Sequence, residues 1–244
     1  MKAIIFALLL VLAVTTLWAD CPTCYFYGGD FGFQASPTAR GYLAPNGLSN
    51  ENDLIVGGDP YGAATYQNFV VTGGITVTGL FTNNLSNLNP STGYWEIRSG
   101  VSEGNGGTLI ASGTGAMTQT PTGRSAFDYT EYQDLVSGLS VNLTPDTYWF
   151  SVVPNDVNNA NRAFNSNTTG WNSVGTQISN EQYFNSVFFG ADFNNANTQG
   201  DFPTFSSGVF AGSSQSPVPE PSSLVLLGSG LLGAAVAARR RWFK

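Results

Sequence analysis

The sequence predicts an all-β domain, an antiparallel β-sandwich of the jelly-roll kind, followed by one transmembrane helix at the C-terminus. Three observations favour this fold. Short runs of aromatic and β-branched residues recur along the chain and are separated by Gly, Asn, Pro and Thr. The 244 residues include 29 glycines and 12 prolines, which suits many short turns. Between the two ends of the chain, no amphipathic helical pattern extends beyond about two turns.

The candidate strands follow one another at the spacing that is typical of sandwiches and barrels. They are 66–72, 75–82, 93–99, 107–117, 141–154, 183–193 and 206–212. In the run "VNLTPDTYWFSVVP", Tyr148, Phe150 and Val152 fall on one side of an extended chain, because successive strand residues point to opposite faces. We therefore expect these three side chains to face the interior.

The N-terminus has the pattern of a cleaved secretory signal. Lys2 precedes an apolar run at 3–14, which is too short to span a membrane comfortably. We expect cleavage after Ala19. Acylation of Cys21 is disfavoured, because Asp20 stands where a lipoprotein would have a small residue. The expected organisation is a signal peptide at 1–19, an ectodomain at 20–205, a small and polar linker at 206–217, and a C-terminal segment at 218–244.

The C-terminal segment contains a second apolar stretch. Residues 222–238 carry no charge. As a helix they would reach about 25 Å, slightly less than the roughly 30 Å hydrocarbon core. Arg239, Arg240 and Arg241 follow directly, and such side chains can extend to the membrane interface and favour the cytoplasmic side. The sequence therefore predicts a transmembrane helix at 222–238 with the three arginines as a stop-transfer signal.

A proline-flanked acid precedes this helix. Pro219-Glu220-Pro221, a Gly-rich and Leu-rich span and the arginine cluster occur in this order at the extreme C-terminus. The pattern resembles the PEP-CTERM sorting signal of exported bacterial proteins. The resemblance implies that exosortase, an integral-membrane transpeptidase-like enzyme, reads the motif and processes a precursor anchored in the inner membrane. Hosts of this family are typically Gram-negative and make exopolysaccharide, so we expect the mature protein at the cell surface or in the extracellular matrix.

The body of the chain carries a second, broader resemblance. The segments "YQNFVVTGGITVTGLFTN", "YWEIRSG" and "DTYWFSVVP", within residues 61–154, are similar to β-sandwich ectodomains of anchored bacterial surface proteins. The resemblance implies a fold. It implies no chemistry, because these ectodomains share no common activity.

Composition excludes several functions. All sixteen acidic residues but only four arginines lie between Asp20 and Glu220, which gives this part a net charge of −12. Nucleic-acid binding is not expected, because it needs clustered Lys and Arg to neutralise phosphates. The chain has no histidine. Ser-His-Asp and Cys-His catalysis and histidine zinc sites therefore cannot be built from it alone, and no cofactor is expected.

The candidate ligand-binding residues are few. Cys21 and Cys24, the only cysteines, could form a disulfide in an exported protein. Trp171 lies among turn residues in "SNTTGWNSVG" and is the best candidate for a glycan contact, whereas Trp95 and Trp149 lie within candidate strands and are expected in the core.

Oxygen-rich turns and paired carboxylates leave further alternatives. Segments 154–162 and 192–201 could supply ligands to calcium, but neither has the spacing of a known calcium loop, and we expect no metal. Glycoside hydrolysis needs only two carboxylates, yet no pair stands out. We therefore expect a non-enzymatic surface or matrix protein associated with exopolysaccharide and biofilm. The alternatives are a carbohydrate-binding module on the same anchor and a secreted glycoside hydrolase.

Overall fold

The computed structural model describes residues 21–30, 46–53, 62–156, 161–170, 172–199 and 204–213. Within them the all-β prediction is confirmed, since strands dominate and the helical content is one 3-10 turn, Ala196–Gln199. The strands are β1 (Phe26–Tyr27), β2 (Gly47–Ser49), β3 (Asn52–Asp53), β4 (Ala64–Val71), β5 (Ile75–Ser86), β6 (Thr92–Ser99), β7 (Thr108–Ala126), β8 (Tyr129–Leu143), β9 (Asp146–Asp156), β10 (Ala163–Ser166), β11 (Tyr183–Ser186), β12 (Ala191–Asn195) and β13 (Ser207–Ser213).

The described strands form one hydrogen-bonded network that is mostly antiparallel. Its order is β1-β13-β5-β8-β7-β6-β9-β4-β11-β12, and β10 joins it by pairing with both β5 and β2. The short β3 pairs with β9 in parallel. The long β7 links two parts of the network, because its residues 108–116 pair with β6 and its residues 117–126 pair with β8.

The largest apolar cluster is built from both sides of this link. We call it the apolar core; its buried members include Phe26, Phe69, Val77, Leu80, Ile97, Val136, Phe150, Val152 and Val209. These residues come from β4, β6 and β9 and also from β1, β5, β8 and β13. Both groups of strands therefore turn an apolar face toward the same interior.

Strand β9 is buried on both faces. Tyr148, Phe150 and Val152 lie in the apolar core, as the alternation predicts. The opposite face places Trp149 and Val153 in a second apolar cluster. The expected core position of Trp149 is thus confirmed, while Trp95 is half-buried and packs against the apolar core. The alternation of Tyr148, Phe150 and Val152 identified one buried face of this strand, and of the other face only Trp149 was expected to be buried.

Residues 207–213 form β13, which pairs with β1 and lies beside β5, so the candidate strand at 206–212 is confirmed and these residues do not belong to the expected linker. Small residues are needed there for close packing. A Cβ atom on Gly208 would lie 2.4 Å from the Phe81 ring. The small-residue composition that indicates a flexible linker instead permits close contact between a strand and an aromatic side chain.

Two other candidate strands contain turns. The run 141–154 is divided between the end of β8 and the start of β9, and the run 183–193 is divided into β11 and β12 by a turn at 187–190. Most of β8 was not predicted.

The predicted signal peptide, transmembrane helix 222–238 and sorting segment lie outside the described residues. In the part of the chain that the structure describes, no helix has the length and hydropathy of a membrane-spanning segment. The contacts divide the chain into a unit at 1–212 and a unit at 213–244.

Candidate ligand-binding face

An aromatic surface surrounds β10. We call it the aromatic face and define it by Phe127, Tyr129, Phe164, Phe188 and Phe189. Phe127, Phe188 and Phe189 are 66%, 63% and 59% exposed. Single exposed apolar side chains are ordinary on protein surfaces, whereas a group of them indicates contact with another molecule.

The register of β10 places its phenylalanine outward. Phe164 lies opposite Ser49 of β2 and Leu85 of β5, while its neighbour Asn165 points into the interior. Gly47 permits this arrangement, because a Cβ atom there would lie 2.7 Å from the Phe164 Cβ. The Phe164 ring also packs edge-on against Tyr129, with ring centroids 5.7 Å apart. Its position is therefore fixed by two strands and a second ring.

Two half-open cavities meet at Phe164, and we call them together the groove. One, of about 260 Å³, is lined by Ser49, Glu51, Gly62, Ala63, Arg162, Phe164, Phe188 and Phe189. The other, of about 240 Å³, is lined by Asn46, Gly47, Leu85, Phe127, Tyr129 and Phe164. Both cavities thus combine aromatic rings with polar groups, and Phe164 is common to their linings.

The turn between β11 and β12 is held by one long-range and one local hydrogen bond of Ser186. The Ser186 hydroxyl donates to the Gly62 carbonyl and accepts the Phe189 N–H at 3.2 Å. The Phe189 ring packs against buried Phe184 and meets Phe188 in a T-shaped contact, with centroids 6.0 and 4.8 Å away. These exposed rings are therefore preorganised by the turn that carries them.

The turn between β7 and β8 holds Phe127 in a strained conformation. Phe127 and Asp128 both have positive φ, at 53° and 65°, which is the pattern of a two-residue type I′ turn. Such turns favour Asn and Gly, and a bulky side chain in this region is uncommon. Local folding does not explain a phenylalanine at this position, and strain of this kind concentrates at functional sites.

The charged side chains that line the groove are opposite in sign and lie together. Arg162 Nη1 is 3.6 Å from Glu51 Oε1, and Glu51 Oε2 accepts the Ala163 N–H at 3.0 Å. The groove therefore has little net charge of its own, although the surrounding protein is acidic.

Beneath the aromatic face lies a buried polar network. We call it the amide core; its members are Asn50, Thr65, Thr82, Asn84, Gln119, Asp134, Asn165 and Ser207. Asn84 is its hub: its Nδ2 donates to Asp134 Oδ2 at 2.7 Å and its Oδ1 accepts from Asn50 Nδ2 at 3.1 Å. Gln119 Nε2 donates to the second Asp134 oxygen at 2.9 Å. Burial raises the pKa of Asp134 to about 7, although both amide hydrogen bonds lower it.

A separate polar cavity lies beside the cysteines. Cys21 and Cys24 form a disulfide with Cα atoms 5.4 Å apart. The cavity, of about 230 Å³, is lined by Cys21, Tyr27, Asn83, Thr120, Pro121, Thr122, Arg124 and Gln133. Arg124 contacts Glu131 at 2.5 Å and Asp30 at 2.7 Å, and it holds the strands together at this end. Burial, followed by the Asp30 charge, raises the pKa of Tyr27.

The buried carboxylates are engaged by structural partners. Glu96 accepts from the Tyr66 hydroxyl at 2.5 Å and from Arg98 Nε at 2.6 Å, and Glu131 accepts from Arg124. Among the described residues, no three His, Cys, Asp or Glu are grouped so that they could hold a metal ion. Of the proposed calcium segments, the described part of 192–201 contains local Asn and Asp turn bonds, such as Asp192 N–H to Asn194 Oδ1 at 2.8 Å.

The sequence-predicted glycan contact, Trp171, lies outside the described residues, as do Pro219, Glu220, Pro221, Arg239, Arg240 and Arg241. The sequence analysis did not identify the aromatic face, because Phe127 and Phe164 lie outside the candidate strands and Phe188 and Phe189 lie within the candidate strand 183–193. The signal that could have found it is the "VFFG" turn at 187–190, where two aromatic residues precede a glycine with positive φ.

These features define an all-β protein with a preorganised aromatic groove on its surface. Residues 217–241 match the PEP-CTERM protein-sorting motif, which confirms the resemblance seen in the sequence. The motif indicates an exosortase-sorted surface protein that passes through a membrane-anchored precursor. No curated protein matches the chain with significant similarity.

Proposed function

We propose that this protein is a non-enzymatic component of the cell surface or extracellular matrix, associated with exopolysaccharide and biofilm. The observation that carries the proposal is the sorting motif at 217–241. The acidic body supports it, because a net charge of −12 between Asp20 and Glu220 disfavours association with anionic lipid headgroups. The protein would therefore leave the membrane when its anchor is removed.

Each part of the chain acts at one step of the export and sorting route. The signal peptide 1–19 directs export, and the helix 222–238 with Arg239, Arg240 and Arg241 holds the precursor in the inner membrane. Exosortase then recognises Pro219, Glu220 and Pro221 and releases the body, which we propose is a jelly-roll-like β-sandwich. The two groups of strands that share the apolar core support that architecture.

Processing tests the proposal directly. Glu220→Gln with Pro221→Ala leaves the apolar length and the arginines unchanged, so membrane insertion should be nearly unaffected. We expect this variant to accumulate uncleaved in the inner membrane, whereas the wild-type protein ends near Pro221. Intact mass and cell fractionation distinguish the two forms.

The matched control replaces Arg239, Arg240 and Arg241 by Ser. Weaker retention should let intact precursor reach the periplasm, which is a different phenotype. Normal maturation of the Glu220→Gln, Pro221→Ala variant would show that the motif is only a linker. Absence of the mature wild-type protein from the matrix fraction would contradict the association with exopolysaccharide.

The aromatic groove favours a second candidate function, a carbohydrate-binding module on the same anchor. Sugar rings stack their C–H faces on aromatic side chains, and the groove presents such rings beside polar groups. Trp171→Ala tests the contact that the sequence alone suggests.

A further inference from the structure

We propose that the groove binds a neutral polysaccharide chain, with Phe164 at its centre and with Phe127 and Phe188 toward its two ends. This inference deepens the proposed function and rests on it, because it names the surface and the chemical class of glycan through which the protein would associate with its matrix.

The shape and lining of the groove suit a chain of sugar rings. Its two cavities, of about 260 and 240 Å³, share Phe164, so adjacent sugar units could lie on either side of one ring. Polar groups of Ser49 and Asn46 lie beside the aromatic rings. Pyranose rings present apolar C–H faces and polar edges, so a surface that combines aromatic rings with hydrogen-bonding groups complements both.

The charges favour a neutral chain. Arg162 is the cationic side chain that lines the groove, and its Nη1 lies 3.6 Å from Glu51 Oε1. The two charges therefore largely cancel. The body of the protein, from Asp20 to Glu220, has a net charge of −12 and would repel a polysaccharide that carries carboxylates or sulfates. A neutral glycan avoids this repulsion and can still stack on every ring of the aromatic face.

The groove is also preorganised. The type I′ turn holds Phe127, the Ser186 hydrogen bonds hold the turn of Phe189, and the contact with Tyr129 holds Phe164. Side chains that are already ordered lose little freedom when a ligand binds, which favours affinity on a shallow surface. An exposed strained phenylalanine is otherwise unfavourable for both solubility and folding.

Affinity electrophoresis of the exported protein, recovered from its host, tests the inference. The gels contain dextran, galactomannan or hydroxyethylcellulose as neutral probes, and alginate as the acidic probe. We expect at least one neutral probe to retard the wild-type protein, with little effect from alginate. Phe188→Ser and Phe127→Asn should each weaken retardation by about tenfold, the effect of losing one well-placed contact.

The matched control is Leu109→Ala with Ile110→Ala. These side chains are 46% and 42% exposed on β7 and line neither cavity, so their loss should leave retardation unchanged. Circular dichroism and thermal unfolding verify that each variant is folded. Two single variants on different turns keep the test valid if one of them perturbs its turn.

Several outcomes would overturn the inference. These are no retardation by any neutral probe, equal retardation by alginate, or groove variants that behave as wild type. Binding to vesicles of phosphatidylethanolamine and phosphatidylglycerol that the same variants abolish would assign the groove to a membrane, and a concentration-dependent dimer that they abolish would assign it to a second copy. Failure here is distinguishable from failure of the proposed function, because processing and presence in the matrix fraction are measured on the wild-type protein without reference to the groove.

Discussion

The apolar core and the amide core lie side by side and meet at Val152. The Val152 side chain is buried among the aromatic and aliphatic residues of the apolar core. Its carbonyl oxygen accepts hydrogen bonds from Asn50 Nδ2 at 2.9 Å and from Thr82 Oγ1 at 3.0 Å. One residue therefore contributes its side chain to one core and its backbone to the other.

The two cores depend on different physical requirements. The apolar core gains stability from the apolar surface area that it removes from water. Neighbouring rings such as those of Phe69 and Phe150, whose centroids are 5.7 Å apart, stabilise it through their volume and shape. The amide core gains stability only while its donors and acceptors are satisfied, because an unpaired buried polar group costs about 1–3 kcal/mol. The first core tolerates apolar exchange, and the second requires specific partners.

Above the amide core, β10 reverses the usual arrangement of apolar side chains inside and polar side chains outside. On β10, Asn165 is buried and donates to Thr65 Oγ1 at 2.7 Å, while Phe164 faces the groove. A strand with its amide inside and its phenyl ring outside loses part of the stability that the reverse order would give. This inversion supports a role in recognition for the outer surface.

The largest expected effect lies in the apolar core. Phe150→Ala should lower the free energy of unfolding by about 3–5 kcal/mol, because Phe150 is fully buried and its removal leaves a cavity. Urea unfolding measures the change, with Leu109→Ala on the exposed face of β7 expected within about 0.5 kcal/mol of wild type. A loss below about 1 kcal/mol for Phe150→Ala would show that this cluster is not the main source of stability.

The apolar core could be predicted from the sequence because its signal is local. The alternation of Tyr148, Phe150 and Val152 follows the two-residue period of a strand and needs no knowledge of distant segments. The same local reasoning predicted an all-β chain and the sorting signal at 218–244, whose residues are contiguous and which the family match at 217–241 confirms.

The amide core could not be predicted in this way. The segment "FTNNLSNLNP" at 81–90 has the composition of a turn, so the candidate strand was ended at residue 82, yet β5 continues to Ser86 with Asn83 and Asn84 buried. The partners that make this possible lie 50 residues away for Asp134 and 34 for Asn50. The strand or turn propensity of a segment contains no information about such distant hydrogen-bond partners.

The groove was missed for a similar reason. Its rings come from β10 and from two separate turns, and only the strand pairings bring them together. A phenylalanine in a short apolar run is usually predicted as a core residue. The run itself does not show which face of the strand other strands will cover.

The second prediction concerns the charge in the amide core. Burial raises the pKa of Asp134 to about 7, above its ordinary value of 3.8. A carboxyl group with a raised folded-state pKa binds its proton more tightly in the folded protein than in the unfolded chain. Its contribution to stability is therefore present below about pH 4 and is lost as the pH rises to about 7.

Asp134→Asn should remove this dependence and raise the free energy of unfolding at pH 8, relative to wild type, by about 2–4 kcal/mol. The half-exposed Gln119 can rotate its amide so that its oxygen accepts from the amide group that the substitution introduces. Urea unfolding of both proteins at pH 4, 6 and 8 measures the difference, and the exposed Asp192→Asn serves as control. Parallel pH profiles for wild type and Asp134→Asn would contradict the assignment and indicate that Asp134 titrates as an ordinary surface acid.

The smallest expected effect lies on the outer surface, at Phe127. Phe127→Asn places a residue that favours positive φ in the type I′ turn and removes a ring that is 66% exposed. We expect the free energy of unfolding to rise by about 0.5–1 kcal/mol, because relief of backbone strain exceeds the small loss of buried apolar area. Asp128→Gly is the matched control, since it relieves strain at the neighbouring residue, where φ is 65°, and leaves the ring in place. Thermal unfolding measures the stability of both variants.

If both become more stable while Phe127→Asn alone loses neutral polysaccharide binding, the phenylalanine is retained at a cost in stability because the groove needs its ring. A less stable Phe127→Asn would show instead that the ring supports the fold, and the outer surface would then obey the same packing rules as the apolar core.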